Sequence, residues 1–424
     1  MNIVEIINKK RNKKKLTKEE IFYVIEEYVK DNIPDYQMSA LLMAITMAGM
    51  NKNETFYLTE AMLNSGEKIN LDRIKGKKVD KHSTGGVGDK TTLILLPLVA
   101  SCGVKAPKMS GRGLGFTGGT IDKIESIPGY NTNININKFI AQVNNIGLAL
   151  ASQTGNLVPA DKRIYALRDV TGTVSSIPLI ASSIMSKKLA SGADTIIIDL
   201  KVGNGALMKD IGSARILAKT MVQIGESYNK TVVCVLTSME EVLGNAVGNA
   251  VEVMESIDVL QNKGPKDITN LVIFLASLMV SLGLSISFDE ANIKVIKNLK
   301  NGKAYNKFLE LIESGNGNLD KMEVSQKIVS IKSKETGFVK SMNTEGLGEI
   351  VRKLGGGRYN KNDVIDHKVG LILSKKVGDY VMEDEEILKV YLGEKDIEID
   401  DILDCFEIDM ICGDITPLII EIIK

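Results

Sequence analysis

The chain has 424 residues, of which 44% are hydrophobic and 25% are charged, and its formal net charge is zero. This length predicts about two or three domains with a substantial buried core, and the balanced charge argues against a nucleic-acid-binding surface. The 4 cysteines are scattered without a CxxC pair and only 2 histidines accompany them, so neither a zinc site nor a disulfide framework is indicated. Reduced thiols and a start without a signal-peptide pattern lead us to expect a cytoplasmic protein.

The first 66 residues are predicted to be helical. Thr17 and Glu20 have the spacing of a capping box, in which each side chain bonds the other residue's amide. Two further segments with helical apolar periodicity run through residues 35–49 and 53–66, and each ends at a glycine.

Two strand–loop–helix units follow the helical segment. Residues 78–81 and 107–110 are predicted strands, and each leads through a glycine-rich loop into a helix, at about 91–100 and from about 120. Asp89 is the expected cap of the first of these helices. The β-rich runs 195–200 and 232–236 are typical of buried parallel strands, so this part is predicted to be an α/β domain.

Three later segments complete the predicted elements. A helix is expected over 178–189, with Pro178 in its first turn and Ser176 as its cap. The apolar run 271–286 is shorter than the ~20 residues of a membrane span, so it predicts a buried helix and no membrane association. From about residue 340, short glycine-punctuated strands indicate a separate α+β domain.

The first glycine loop spans residues 80–92. Its glycines allow close backbone approach, while Lys81, Ser83 and Thr92 add a positive charge and hydroxyl donors ahead of a helix N-terminus. This composition indicates an anion site, although a plain tight connection is the alternative. Asp89 stands before Lys90 where a Walker A loop requires glycine, so a P-loop is excluded.

The second glycine loop spans residues 108–125 and again combines glycines, hydroxyls and basic groups. Gly113, Gly115 and Gly118 satisfy GxGxxG, but residues 126–160 contain no acidic residue for a ribose, which counts against a nicotinamide dinucleotide. Two such loops at the ends of neighbouring strands favour convergence on one phosphate.

The third candidate group is Arg168, Ser183 and Lys187. Ser183 and Lys187 are four residues apart and share a helix face, from which they can present donors to the carbonyl oxygens of a planar ligand. Spacing alone favours a solvated basic surface, and Lys188 is expected to be solvated. His82 gains functional interest from its place in a glycine loop, whereas His367 is expected to be structural.

The glycine loops, at residues 81–89 and 110–125, resemble the pyrimidine-nucleoside and thymidine phosphorylase family. The resemblance continues through Arg168, Ser183 and Lys187 and reappears at 243–253 and 354–358. It implies a multidomain α/β and α+β fold: a small helical domain (1–66 plus 163–194), a larger α/β domain with a mainly parallel sheet (67–162 plus 195–339) and a C-terminal α+β domain (340–424). It also implies a homodimer packed through the helical domains.

The resemblance further implies the roles of individual residues. The phosphate co-substrate would be held by Lys81, Ser83, Thr92, Lys108, Ser110 and Thr120. The pyrimidine would be bound by His82, Arg168, Ser183 and Lys187, of which His82, Arg168 and Lys187 would be catalytic. No organic cofactor is implied, but a potassium ion would contact backbone oxygens of Gly88, Lys90, Leu243 and Ala246 and the carboxylate of Glu255.

The sequence departs from the family pattern at two positions. Residue 90 is lysine where a small residue is usual, and its ammonium is expected to weaken cation binding. Phe116 replaces a histidine near the site, which leaves the substrate contacts there open. Lys108 before Met109 and Ser110 is similar to broad-specificity bacterial members, so uridine, thymidine and deoxyuridine are the expected substrates.

Several alternatives remain at this point. One is a strict thymidine phosphorylase. A phosphoribosyltransferase of related architecture would need magnesium ligands, for which Asp89 and Asp122 are the candidates. The others are a non-catalytic pyrimidine-binding protein and, more distantly, a nicotinamide-dependent dehydrogenase.

Overall fold

The computed structural model describes residues 1–113, 116, 118–153, 155–360 and 362–424. Its helices are α1 Ile3–Arg11, α2 Lys18–Val29, α3 Asp35–Ala48, α4 Lys52–Asn64, α5 Thr91–Ser101, α6 Thr120–Glu125, α7 Ile136–Ile146, α8 Pro159–Asp169, α9 Ile177–Ala190, α10 Ile211–Ser227, α11 Ala250–Leu260, α12 Lys266–Leu284, α13 Phe288–Lys300, α14 Lys303–Ser314, α15 Thr344–Val351 and α16 Ile399–Leu403. Its strands are β1 Val79–Ser83, β2 Ala106–Ser110, β3 Leu148–Ser152, β4 Thr195–Val202, β5 Thr231–Ser238, β6 Ala246–Gly248, β7 Lys327–Lys332, β8 Gly337–Met342, β9 Gly370–Leu373, β10 Tyr380–Val381, β11 Glu386–Leu392, β12 Phe406–Asp409 and β13 Ile419–Ile423. The predicted fold class is confirmed: a small helical domain, an α/β domain with a mainly parallel sheet and a C-terminal α+β domain.

Local capping signals set the starts of the N-terminal helices. The predicted capping box opens α2, where the Thr17 hydroxyl accepts from the Glu20 amide and the Glu20 carboxylate accepts from the Thr17 amide. A second box, formed by Asn51 and Glu54, opens α4. Each box satisfies amide donors that a first helical turn leaves without intrahelical partners.

Helices α8 and α9 return from the middle of the chain and pack with α1–α4. α9 also contacts α10, so the core of the helical domain is continuous with one face of the main sheet. Ser176 stands at the N-terminus of α9 as predicted, but its side chain makes no capping hydrogen bond. An N-cap side chain normally accepts a hydrogen bond from the amide two or three residues later. Here the first of these residues is Pro178, which has no N–H to donate. The predicted domain limit at residue 163 falls inside α8.

The main sheet has the strand order β1–β4–β5–β13, with β1, β4 and β5 parallel and β13 antiparallel at the edge. Because side chains alternate along a strand, Ile196 and Ile198 enter the core shared with the helical domain, whereas Ile197 enters the core formed with α5 and α11–α14. Both faces of β4 are therefore covered, which explains the apolar run 196–198 within it.

Strand β2 pairs in parallel with β3 rather than joining the main sheet. It approaches β1 at its start, where Lys78 and Lys105 form a parallel bridge. Because β1 and β2 run in the same direction, the two glycine loops leave their strands at the same end of the domain. This arrangement places the loops beside each other, as the sequence predicted.

The C-terminal domain contains two antiparallel sheets, ordered β6–β9–β11–β7 and β10–β8–β12. β6 follows the main-sheet strand β5 in the chain, and the final strand β13 returns to pair with β5. The C-terminal domain is thus connected to the main sheet at both of its ends. The predicted domain limit at residue 340 falls inside β8.

The apolar run near residue 280 forms α12, the one helix among the described residues whose length and composition would allow it to cross a membrane. It packs against α5 and α13, and Leu271, Leu275 and Met279 are buried in the core beneath the main sheet. Burial in the core accounts for its hydrophobicity, as predicted.

Candidate active site

The end of β1 carries the first candidate anion-binding side chains. The Lys81 ammonium lies 3.1 Å from the Asp199 carboxylate and donates to the hydroxyl of Thr91. Lys201 lies 3.0 Å from the same carboxylate, and all of these side chains are buried. Asp199 therefore holds two lysines side by side at the carboxyl ends of β1 and β4.

Asp89 organises the first glycine loop. Its carboxylate accepts hydrogen bonds from the Ser83 hydroxyl and from the amide and hydroxyl of Thr91, at 3.2 and 2.6 Å for the latter two. Burial alone would raise the pKa of Asp89, but the positive charges of Lys81, Lys201 and Lys123 hold it well below its usual range. Asp89 is thus a permanent carboxylate that fixes the start of α5, where Thr92 is the second residue.

The second glycine loop reaches the first through two buried lysines. The Lys108 ammonium donates to the backbone oxygen of Lys81 and lies 3.4 Å from Asp80, while Lys123 donates to the backbone oxygen of Asp89 at 2.8 Å. Ser110 ends β2 and Thr120 begins α6. Lys81, Ser83 and Lys108 of the predicted phosphate residues are therefore linked in one hydrogen-bonded cluster, while Thr92, Ser110 and Thr120 lie at the ends of the elements that flank the loops.

Asp122 anchors the described part of the second loop. Its carboxylate accepts from the Gly113 amide at 2.6 Å and from Arg358 of the C-terminal domain at 2.8 Å. Leu114, Gly115 and Thr117 lie outside the described residues, and Gly115 is the middle glycine of the GxGxxG motif. Asp89 and Asp122 each accept hydrogen bonds from protein donors, and the described residues contain no group of three or more His, Cys, Asp or Glu side chains that could hold a metal ion.

Arg168 is held in place by the loop between α8 and α9 and by the first turn of α9. Its guanidinium donates to the backbone oxygens of Thr173 at 3.2 Å, Val174 at 2.6 Å and Leu179 at 3.2 Å, and the side chain is buried. A guanidinium has five N–H donors, so two remain for a ligand. Arg168 therefore offers two N–H donors in a fixed position and is not part of a solvated surface.

Ser183 and Lys187 share a face of α9, as their spacing predicts. The Lys187 ammonium lies 3.4 Å from the Ser183 hydroxyl, 2.9 Å from the Asp161 carboxylate and 5.4 Å from the centre of the Tyr165 ring. The contacts with Asp161 and Tyr165 of α8 hold the Lys187 side chain in one orientation. The expectation of a solvated basic surface is not met, since the side chain of Lys187 is only 21% exposed.

Lys188 was expected to be solvated, and this expectation is wrong. Its side chain is buried and its ammonium donates to Asp80 of β1 at 2.6 Å. Residue 188 faces inward because α9 packs between α4 of the N-terminal helices and α10, which lies on the main sheet. The helical domain is thereby joined to β1, the strand that carries the predicted phosphate residues Lys81 and Ser83.

His82 lies where the two groups of basic residues meet. Burial lowers its pKa well below the usual value, and the charges of Lys188, Lys108, Lys187 and Lys81 lower it further. The imidazole is therefore neutral at physiological pH. It can donate one hydrogen bond without carrying a charge.

Phe116 lies against the core of the C-terminal domain, with the Lys209 ammonium 5.8 Å from the centre of its ring. Its backbone oxygen is also close to Gly348, where an added Cβ would be 2.6 Å away. Phe116 therefore helps to join the second loop to the C-terminal domain. A phenyl ring offers no N–H donor to a substrate, unlike a histidine.

Three of the five residues predicted to bind a cation surround the ammonium of Lys90, which is itself a fourth. It donates to the backbone oxygens of Leu243 and Ala246, each at 2.9 Å, and to the carboxylate of Glu255. The Gly88 backbone oxygen accepts from the Lys90 amide at 2.9 Å. The predicted group of residues is thus brought together, with a side chain at its centre.

Sequence reasoning missed the buried acids that position the basic residues, above all Asp80, Asp161 and Asp199. The available signal was the setting of Asp199, which directly follows the apolar run 196–198 in a buried strand, where a charge is rarely buried unless it is paired. Asp161 has no comparable signal, because its partner Lys187 is on another helix.

Matches to known protein families divide the chain into the same three domains as the structure. Family models match residues 4–66 (glycosyl transferase family, helical bundle domain), 75–305 (glycosyl transferase family, a/b domain) and 338–409 (pyrimidine nucleoside phosphorylase C-terminal domain). A pyrimidine-nucleoside phosphorylase from Staphylococcus epidermidis is 50% identical over 410 residues, which are 95% of this chain and 94% of that protein. The chain belongs to the pyrimidine-nucleoside phosphorylase family. A family member from Geobacillus stearothermophilus is 49% identical over 405 residues, 94% of each chain.

A more distant structural neighbour shares the architecture of the phosphorylase family. The crystal structure of anthranilate phosphoribosyltransferase from Thermus thermophilus superposes with a TM-score of 0.57 and 15% identity, covering 73% of this chain and 98% of that protein. At this identity the match demonstrates a common fold only.

Proposed function

We propose that the chain cleaves uridine, thymidine and 2′-deoxyuridine with phosphate as nucleophile and releases the free base and an α-pentose 1-phosphate. The observation that carries this proposal is the position of Asp80 and His82 on β1. Asp80 contacts Lys108 on the phosphate side and Lys188 on the base side, and His82 follows two residues later. The phosphorylases at about 50% identity over almost the whole chain support the same reaction class.

Phosphate would bind among the buried lysines and hydroxyls at the ends of β1 and β2. Lys81 and Lys108 supply positive charge, while the N-terminus of α5 adds amide donors. The acids Asp80, Asp89 and Asp199 hold these donors in place before phosphate arrives. Positions fixed in advance reduce the reorganisation that binding and reaction require.

The pyrimidine would bind to Arg168, Ser183 and Lys187 with its carbonyl oxygens towards their donors. A phosphate oxygen then bonds to the anomeric carbon as the carbon–nitrogen bond to the base breaks, and the configuration at that carbon inverts. The electron pair of the broken bond passes to the base, which takes up a proton on leaving. Arg168 and Lys187 stabilise the negative charge that develops on the base in the transition state.

His82 would donate a hydrogen bond to a pyrimidine oxygen as a neutral imidazole. The four lysines around it disfavour the imidazolium, so a proton taken from the substrate would not be retained there. His82 would consequently act as a donor and not as a general base.

Three alternative functions predict different experimental outcomes. A strict thymidine phosphorylase would process only deoxynucleosides. A phosphoribosyltransferase shares the fold, but it requires magnesium, whereas Asp89 and Asp122 are occupied by protein donors. A non-catalytic binding protein would bind pyrimidine without turnover, and the retention of every donor predicted for both substrates argues against it.

We further propose a cytoplasmic homodimer that uses phosphate as co-substrate and no organic cofactor. Tyr36, Met43 and Met47 lie on one face of α3 and are exposed, at 74%, 40% and 78% respectively. An apolar helix face of this kind is suited to packing against a second copy of the helical domain.

The test of the proposed reaction is the identity of its sugar product. Uridine and phosphate are incubated with the enzyme, and the mixture is followed by ³¹P NMR. Formation of α-ribose 1-phosphate, equal in amount to the uracil released, is the expected result. Release of uracil with free ribose and unchanged phosphate would refute phosphorolysis.

A further inference from the structure

The Lys90 ammonium lies inside a cage of oxygen atoms behind the first glycine loop. Its acceptors are the backbone oxygens of Leu243 and Ala246, both at 2.9 Å, and the carboxylate of Glu255. The side chain of Lys90 has no exposed surface. Because an ammonium group has three N–H donors, these three oxygens satisfy it completely.

The backbone around the cage is shaped so that its oxygens point at a single place. Gly244 has a φ of +67°, and a Cβ added there would lie 3.0 Å from the Lys90 ammonium. Gly88 has a φ of +75°, and a Cβ there would lie 2.7 Å from the Leu243 oxygen. Both positions favour glycine, since left-handed backbone and close approach exclude larger residues.

Glu255 is fixed independently of the lysine. Its second carboxylate oxygen accepts from the amides of Asn245 at 2.8 Å and Ala246 at 3.1 Å. The carboxylate therefore remains in the cage whether or not a positive charge is present. A buried ionised carboxylate without a counter-charge is strongly unfavourable, so a monovalent cation in the cage stabilises Glu255 in its ionised form.

The predicted potassium ion does not fit this chain while Lys90 is present. Its oxygen ligands are those that already accept from the Lys90 ammonium. A second positive charge in contact with the same three oxygens would repel the first inside a buried site. The place that a small residue at position 90 would leave open is filled by the lysine itself.

We propose that Lys90 is a covalently attached replacement for an inorganic monovalent cation, so that the enzyme functions without potassium. The ammonium neutralises Glu255 and holds the segment 243–246 against the first glycine loop. On the other side of this segment, Lys376 of the C-terminal domain donates to the Gly244 backbone oxygen at 2.9 Å. Lys90 is accordingly a positioning residue for the phosphate loop and does not contact the reacting atoms.

The experiment compares potassium chloride with choline chloride at equal ionic strength, using protein freed of potassium. Thermal unfolding and uridine phosphorolysis are measured for the wild type, Lys90→Ser and Lys90→Met. The wild type is expected to show the same Tm and rate in both salts. Lys90→Ser opens the cage, so in choline chloride this variant should have a lower Tm than the wild type. In potassium chloride it should regain roughly 5 °C in Tm, together with activity. Lys90→Met fills the space without a charge and should not respond.

A wild-type Tm or rate that rises with potassium would overturn the proposal, and so would a Lys90→Ser variant that potassium does not stabilise. The wild-type comparison does not depend on the folding of any variant. The Tm measurement also does not require turnover. If no nucleoside is cleaved but the wild-type Tm is independent of potassium and Lys90→Ser responds to it, the proposed function fails and the replacement of the cation stands.

Discussion

Asp80 of β1 accepts a hydrogen bond from Lys188 of α9 at 2.6 Å, and both side chains are buried. Asp80 also lies 3.4 Å from Lys108. Burial opposes its ionisation, but the charges of Lys108 and Lys188 lower the pKa of Asp80 below its usual value. One carboxylate thus joins the helical domain to both strands that end in the candidate phosphate site.

Replacing Asp80 with asparagine should destabilise the protein by about 3–5 kcal/mol at neutral pH, because it leaves two buried lysines without their counter-charge. The measurement is the midpoint of urea unfolding. Because the pKa of Asp80 is lowered by folding, its stabilisation is present above the ordinary aspartate pKa of about 3.9 and is lost as the pH falls through the lower folded value.

The matched control for this variant is Asp396→Asn. Asp396 lies 3.1 Å from Lys327, but the two side chains are 86% and 59% exposed. Exposed pairs of this kind contribute little to stability. Equal losses in Asp80→Asn and Asp396→Asn would contradict the role assigned to Asp80.

Lys108 should make phosphate binding depend on pH near neutrality. Burial lowers the pKa of Lys108 to about 7, so its positive charge is present below this value and is lost as the pH rises through it. The KM for phosphate is expected to increase from pH 6 to 9 in the wild type. Lys108→Arg keeps its charge over this range and should show a smaller increase, although both enzymes share the ionisation of phosphate itself. Parallel profiles would exclude Lys108 as the titrating group.

His82 should contribute as an uncharged donor. His82→Ala is expected to lower kcat/KM for uridine by roughly 10²-fold, whereas His82→Gln, which keeps an N–H donor, should lose less. The wild-type rate should show no ionisation of His82 near pH 6.5, because its pKa is held well below that value. A titration near pH 6.5 that disappears in His82→Gln would show that the imidazole is charged and would refute this role.

Arg168 should require the planar guanidinium and not merely a positive charge. Three of its donors bond to backbone oxygens of residues 173–179, and an ammonium cannot reproduce that geometry. Arg168→Lys is expected to lower kcat/KM for uridine by roughly 10²–10³-fold with little change in the KM for phosphate. If Arg168→Lys instead weakens phosphate binding alone, the residue acts on the other substrate.

Sequence signals predicted the elements because those signals are local. The Thr17–Glu20 capping box and the apolar run 196–198 in β4 are read from a few adjacent residues, and both are present in the structure. The two glycine loops could also be recognised as candidate anion sites, since glycines, hydroxyls and lysines at strand ends lie within one segment.

The electrostatic partners could not be predicted in the same way. Lys188 and Asp80 are 108 positions apart, and Lys90 and Glu255 are 165 positions apart. Only packing decides whether such a lysine meets solvent or a buried carboxylate. For this reason Lys188 was wrongly expected to be solvated, and the central position of Lys90 in its oxygen cage became apparent only in three dimensions.

The most direct test of the account measures release of free base from uridine, thymidine and 2′-deoxyuridine, each with and without phosphate. We expect phosphate-dependent release from all three nucleosides. Release from the deoxynucleosides alone would restrict the enzyme to a thymidine phosphorylase. No release from any nucleoside in the presence of phosphate would contradict phosphorolysis as the function of this site.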